Sequence, residues 1–222
     1  MLYVVATPIG NLSDITLRAI ETLKNADFII AENPSHTARL LLHFNIPKKQ
    51  VIQFAEHNEQ KVLLSIIEKL KTQSGAIVSD AGTPGISDPG FRLVRGCIEN
   101  NIAVIPIPGP SAAITALSAS GLPTDSFTFL GFVPKTEIKL IKEITKALEA
   151  SSTVVFYESP QRIVKTLGYI AAAFPAAEIV LARELTKLHE EFIRGTPQEA
   201  LNTLSQKATI KGEFVVLLST NH

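Results

Sequence analysis

Residues Val78 to Gly90 read Val-Ser-Asp-Ala-Gly-Thr-Pro-Gly-Ile-Ser-Asp-Pro-Gly. The apolar run Ala76-Ile77-Val78 ends abruptly in Ser-Asp, as a buried strand does on reaching solvent. A loop rich in glycine and proline follows, then a helical pattern from Phe91 through Leu93, Val94, Cys97 and Ile98. The stretch therefore predicts strand, loop and helix, with the loop at the strand's carboxyl end, where open α/β sheets bind ligands. Gly82, Gly85 and Gly90 permit positive φ or close approach of a ligand, and Pro84 and Pro89 stiffen the path. Asp80 and Asp88 can accept hydrogen bonds from a ligand. The alternative reading is a plain β–α loop in which Asp88 caps the helix.

Working outward, three more stretches repeat the theme: Leu2–Asp14 (LYVVATPIGNLSD), Ala103–Ala112 (AVIPIPGPSA) and Thr153–Pro160 (TVVFYESP). Short apolar strands alternate with helices of ten or more residues, which predicts a mostly parallel sheet covered on both faces. In the first half, Asp14 or Thr16 caps a helix with Leu17, Ile20 and Leu23 on its buried face, and Ser35 caps the next. Ala119–Asp125 (ASGLPTD) breaks the pattern. It sets an expected boundary between an N-terminal α/β domain, residues 1–120, and a C-terminal α/β domain, residues 121–222. In the second half a helix is expected from about Lys135 to Ala150. Two strands flanking Lys187 and a last strand from Glu213 predict a mixed sheet.

Composition narrows the chemistry. The formal net charge is zero, which argues against strong non-specific nucleic-acid binding but leaves local basic patches open. The one cysteine, Cys97, sits in an apolar pattern as a buried thiol. No apolar run approaches a membrane span, and Met1-Leu2-Tyr3 enters a strand with no signal-peptide pattern, so a cytoplasmic location is expected. There is no G-x-G-x-x-G, P-loop, H-E-x-x-H or G-x-S-x-G. His36, His43, His57, His189 and His222 are scattered, and with a lone cysteine no zinc site is expected. Lys135, Lys139, Lys142 and Lys146, spaced four, three and four, share one face of a helix at ~100° per residue. Arg162 and Lys165 lie one turn apart, and Glu184 and Lys187 are an i, i+3 pair.

The four strand–loop stretches, with Ala182–Thr196 (ARELTKLHEEFIRGT) and Lys211–Leu218 (KGEFVVLL), resemble the tetrapyrrole methylase family of S-adenosylmethionine-dependent methyltransferases. Within it they are similar to the branch that 2′-O-methylates a cytidine of small-subunit (16S) ribosomal RNA. The resemblance implies a two-domain α/β fold with the cofactor in a cleft between the domains, and commonly a homodimer. It implies cofactor contacts from Pro8, from Asp80, Ala81, Gly82, Thr83, Pro84, Ile86 and Asp88, and from Ser111 and Ala112. The second domain would add Tyr157, Arg183, Leu185, Gly212 and Glu213.

A ribose hydroxyl attacking a methyl sulfonium needs alignment and a destination for its proton. Glu184 as base or orienter, Lys187 as phosphate anchor and Glu32 as a second base are the candidates; a solvated Glu184–Lys187 ion pair is the competing reading. The basic helix face, Arg162 and Lys165 are candidate contacts to ribosomal RNA or the 30S subunit, or else a solvated surface. The family's A-E-D-T-R-H-T is replaced by Ala31-Glu32-Asn33-Pro34-Ser35-His36-Thr37, and its His by Gln161, so the departures fall on the presumed substrate side. A methylase acting on a precorrin- or uroporphyrinogen-type tetrapyrrole and a non-catalytic, cofactor-binding ribosome-assembly protein are the alternatives.

Overall fold

The computed structural model describes residues 1–220; His222, one of the scattered histidines, lies outside them. The chain divides into two compact units, Met1–Ser111 and Ala112–His222.

The first unit runs β1 (Leu2–Val5), α1 (Leu17–Asn25), β2 (Phe28–Ala31), α2 (Pro34–His43), β3 (Gln50–Gln53), α3 (Glu59–Leu70), β4 (Gly75–Val78), α4 (Phe91–Glu99) and β5 (Val104–Ile107). Its five strands pair in parallel in the order β3-β2-β4-β1-β5. Alternate strand residues point to opposite faces. Val5, Ile29, Ala31, Ala76 and Val78 pack under α1 and α2. Leu2, Phe28, Ile30 and Ile77 pack under α3 and α4. Each fully buried Val, Leu, Ile or Phe side chain among these stabilises by roughly 1.5–3 kcal/mol, so apolar continuity in β2 and β4 is required, not incidental. Cys97 lies in the α3/α4 core, fully buried, and burial pushes its thiol up to about 11.

Thr16 caps α1 by accepting the Ala19 N–H at 3.1 Å, and Asp14 belongs to a short 3-10 turn before it. Ala19 and Leu23 form the buried face of α1; Leu17, two residues before Ala19 and so on the far side of the helix, is 81 % exposed. The cap of α2 is Asn33, not Ser35. Its Oδ1 accepts from the N–H groups of Ser35 and His36, and Pro34 takes the first helical position, where a missing N–H costs nothing.

The second unit contains α5 (Ala112–Ser118), β6 (Phe127–Phe132), α6 (Glu137–Ala150), β7 (Thr153–Glu158), α7 (Ile163–Ala173), β8 (Glu178–Arg183), β9 (Glu191–Gly195), α8 (Pro197–Ser205) and β10 (Phe214–Ser219). The sheet order is β6-β7-β10-β8-β9, with β6 parallel to β7 and the rest antiparallel. This is the mixed sheet expected. Helices α6, α7 and α8 cover the face carrying Val154, Phe156, Phe214 and Val216. The division falls at Ser111, ahead of the stretch Ala119–Asp125 where the sequence put it. The reason is α5: its small residues Ala113 and Ala116 are buried, and it packs on β7 and β10. Helix α6 begins at Glu137, so Lys135 stands in the link before it. Among the described residues no helix is long and apolar enough to cross a membrane.

Candidate functional site

In the first unit the loops at the carboxyl ends of the parallel strands are tied into one surface. Thr7, after β1, exchanges backbone hydrogen bonds with Gly82, at 2.8 and 3.0 Å. Its hydroxyl donates to the Ser79 carbonyl at 3.2 Å. The Thr83 hydroxyl donates to the carbonyl of Pro110, after β5, at 3.3 Å. Gly82, Gly85 and Gly90 all have positive φ (+78°, +83°, +145°), and so does Ser87. At Gly90 a Cβ would meet the Gly85 backbone at 3.0 Å, so the loop folds closely on itself. Gly90 is also the cap position of α4, which has no side-chain cap. Asp88 is thus not a helix cap. It is half-buried beside Ser79, and burial pushes its carboxyl up to about 6; the Ser79 hydrogen bond opposes this, and the charges of Glu32 and Asp80 add to it. Glu32 Oε2 accepts the Asp80 N–H at 3.4 Å.

Next to this surface a pocket of about 270 Å3 opens between Pro8, the first turns of α2, and Ser79–Asp80. His36 and Arg39 line it, and His36 Nδ1 lies 3.4 Å from Asp80 Oδ1. The sequence had named His36 only among the scattered histidines and in the Ala31–Thr37 stretch, and Arg39 not at all; neither was a site candidate. The signal was available: a cap at Asn33 starts α2 so that residues 36, 39 and 40, at i, i+3 and i+4, share one side of it.

In the second unit Arg183, Glu184, Leu185, Lys187, Gly212 and Glu213 converge where β8 ends and β10 begins. Glu184 has φ +52° and Thr186 +63°. The Glu184 carboxylate accepts from Lys187 Nζ at 2.9 Å and from the Glu213 N–H at 3.0 Å. Lys187 Nζ also donates to Glu213 Oε2 at 2.9 Å. A Cβ at Gly212 would lie 2.5 Å from Glu184 Cγ, so glycine is what leaves room for this carboxylate. Burial opposes the Glu184 charge, but the Lys187 and Glu213 hydrogen bonds outweigh it and hold the carboxyl below its ordinary value. For Lys187 the balance is the mirror image: burial works against the ammonium, and Glu184 and Glu213 raise it above the usual value. Arg183 is engaged too, donating to the Lys211 carbonyl and to Glu191. Tyr157, at the end of β7, packs edge-on against Phe129 and Phe132.

Arg162, expected to face a phosphate, turns inward. It pairs with the buried Glu158 at 3.2 Å and donates to the carbonyls of Val133 and Pro134. Lys165 lies over the Tyr169 ring at 5.7 Å. Lys139, Lys142 and Lys146 share the exposed side of α6, opposite the buried Leu140, Ile144 and Ala147. Ser111 and Ala112 mark the junction of the two units.

Residues 1–201 match the family model described as tetrapyrrole (corrin/porphyrin) methylases. The chain is 48 % identical over 221 residues to a ribosomal RNA small subunit methyltransferase I of Halalkalibacterium halodurans, covering 99 % of this chain and 76 % of that protein. Proteins of the same name from Escherichia coli O157:H7 and Hydrogenobaculum sp. are 50 % and 47 % identical, each covering 98 % of this chain, and 77 % and 95 % of their own lengths. Among solved structures, a diphthine synthase superposes with a TM-score of 0.74 at 14 % identity, covering 99 % of this chain and 90 % of that one. A uroporphyrin-III-C-methyltransferase from Thermus thermophilus gives 0.65 at 17 %, with 98 % and 93 % covered. These last two speak for the fold alone.

The residues present fit the family's cofactor. Buried polar atoms are almost always hydrogen-bonded, so an orphan asks for a partner. Among the described residues two side-chain atoms are buried without a hydrogen-bond partner: Thr186 Oγ1, and Asp80 Oδ1, whose one neighbour is the long ion-pair contact to His36 Nδ1 at 3.4 Å. Both lie in the quoted loops. S-adenosylmethionine brings a ribose diol, an amino group and a sulfonium cation, all suited to such oxygens. The family-model match and the whole-length identity show that the chain belongs to the tetrapyrrole (corrin/porphyrin) methylases, S-adenosylmethionine-dependent methyltransferases.

Proposed function

We propose that this methyltransferase acts on small-subunit ribosomal RNA in the cytoplasm, at the ribose 2′-hydroxyl of a cytidine. The observation that carries the reading is identity of 46–50 % over nearly the whole chain to relatives all named ribosomal RNA small subunit methyltransferase I. The cofactor supplies an electrophilic methyl group on sulfur. In the first unit, Pro8, the Asp80–Asp88 loop and Ser111 bind it, and Asp80 Oδ1 accepts from its polar groups. In the second unit, Tyr157, Arg183, Leu185, Gly212 and Glu213 do so, with Ala112 at the start of α5.

Of the two carboxylates considered for the hydroxyl proton, Glu184 is the poorer acceptor. Two donors hold it and its carboxyl sits below the ordinary value. We assign Glu184 to positioning Lys187, whose ammonium stays protonated and faces a phosphate. Glu32, with one long contact from the Asp80 N–H, takes the proton. The lysines of α6 and Lys135 contact the RNA backbone. Two copies associate, since closed pairs are the commonest assembly; light scattering at micromolar concentration should return twice the 24.0 kDa of one chain, and a single-chain mass rejects the pairing.

The function is tested by offering labelled cofactor with small ribosomal subunits, free small-subunit RNA and a porphyrinogen. Label in RNA that resists alkaline cleavage is expected. Label only in the porphyrinogen, or in none of the three, overturns the reading. In the same assay Glu32→Gln should slow turnover about 100-fold or more, as loss of a general base does, with cofactor affinity unchanged.

A further inference from the structure

Strand β6 is the edge of the second sheet, and its pairing with β7 is irregular near its end. Phe129 faces Val155 and Phe132 faces Tyr157, so three steps on β6 match two on β7. Gly131, with φ +65°, absorbs the extra residue. In an unbroken strand residues 129 and 132 point to opposite faces. Here the bulge brings both rings onto Tyr157, at centroid distances of 5.0 and 5.5 Å. Phe132 nevertheless remains 65 % exposed.

The ring is rigidly mounted. Val133 behind it is buried, and Arg162, tied to Glu158, holds the carbonyls of Val133 and Pro134 at 3.1 and 3.0 Å. The chain then enters the basic segment: Lys135, and Lys139 and Lys142 on α6, all exposed. None of these three lysines forms an ion pair among the described residues.

We propose that Phe132 is a stacking platform for an unpaired base of the RNA, with the phosphates on either side held by Lys135, Lys139 and Lys142. A fixed, exposed aromatic face followed by unpaired cations matches the two features single-stranded nucleic acid presents, a base π-face and a phosphate chain. The proposal rests on RNA being the substrate.

The test uses the full chain, a fluorescent single-stranded RNA oligonucleotide containing cytidine, and a salt series. Loss of one stacked base should weaken binding roughly ten- to a hundred-fold in Phe132→Ala, without changing the salt dependence. Phe132→Trp should retain binding. Lys139→Gln with Lys142→Gln should weaken it and flatten the slope by about 0.7 per lost contact. Calorimetry with S-adenosylmethionine should give wild-type affinity in Phe132→Ala. Wild-type RNA affinity in Phe132→Ala overturns the platform alone. An equal loss of cofactor affinity assigns the ring to adenine, and a change in molecular mass assigns it to a second copy; either overturns it too. A wild-type chain that neither binds nor methylates RNA overturns this proposal together with the functional reading.

Discussion

Gly82→Val should abolish S-adenosylmethionine binding while leaving the chain folded. Residue 82 holds φ +78°, which a β-branched side chain tolerates poorly. Its backbone cannot relax, because both its N–H and its carbonyl are bonded to Thr7. A Cβ itself has room, with Ile9 Cγ2 at 3.5 Å and the Pro110 carbonyl oxygen at 3.8 Å. The strain is about 1–3 kcal/mol, too little to unfold a domain of ordinary stability. The valine methyls, however, stand where the loop must present bare backbone. Calorimetric titration should show at least a 100-fold loss of affinity, about 2.7 kcal/mol, with the unfolding transition only a few degrees lower. Gly82→Ala, which shares the strain but lacks the methyls, should fall between. Wild-type affinity in the valine variant would place the cofactor elsewhere.

Glu158→Ala should destabilise the second unit by about 3–5 kcal/mol, the usual result of removing one partner of a buried ion pair. The Glu158 side chain is fully buried. It accepts the Thr166 hydroxyl at 2.7 Å and the Ser159 N–H at 2.8 Å, and pairs with Arg162 at 3.2 Å. Alanine leaves a hydroxyl unpaired and a guanidinium, only 26 % exposed, without its counter-ion. Out of a total of roughly 5–15 kcal/mol this is a large share, and the denaturant midpoint should fall accordingly. Glu158→Gln keeps an acceptor and should cost less. An alanine variant with an unchanged midpoint would show that the network is incidental.

The fold was readable because β1, β4 and β5 run into Gly/Pro loops and strands alternate with helical periodicity through the first half, which gives the parallel sheet; the consecutive strands β8 and β9 on either side of Lys187 give the mixed one. Caps were harder. Asn33 and Ser35 are both good capping residues, and only Pro34 between them, confined to a first helical turn, tells them apart. Replacement of the family's pattern there by Asn-Pro is therefore sound helix-starting chemistry. Lys135 looked helical because lysine spacing ignores the backbone, whereas the chain bends at Lys135 and Thr136 after Pro134, and α6 begins only at Glu137. Arg162 itself looked solvent-facing, because periodicity does not register a charge compensated inside.

At the candidate site, the Gly-rich loop could be read locally, since glycine and proline act on their own backbone. The Glu184 seat could not. Its space is made by Gly212, in the bend just before β10, and its left-handed backbone shows only in three dimensions. The pocket beside His36 likewise needs β1, α2 and β4 brought together.

The position of Cys97 has a practical consequence. The chain has one thiol, and it is fully buried and protonated at neutral pH, whereas alkylating reagents attack exposed thiolates. The native surface is thus silent to maleimide dyes. A cysteine introduced at Lys146, on the exposed side of α6, would take a single fluorophore without any prior removal of cysteine, and would report directly on whatever approaches that helix.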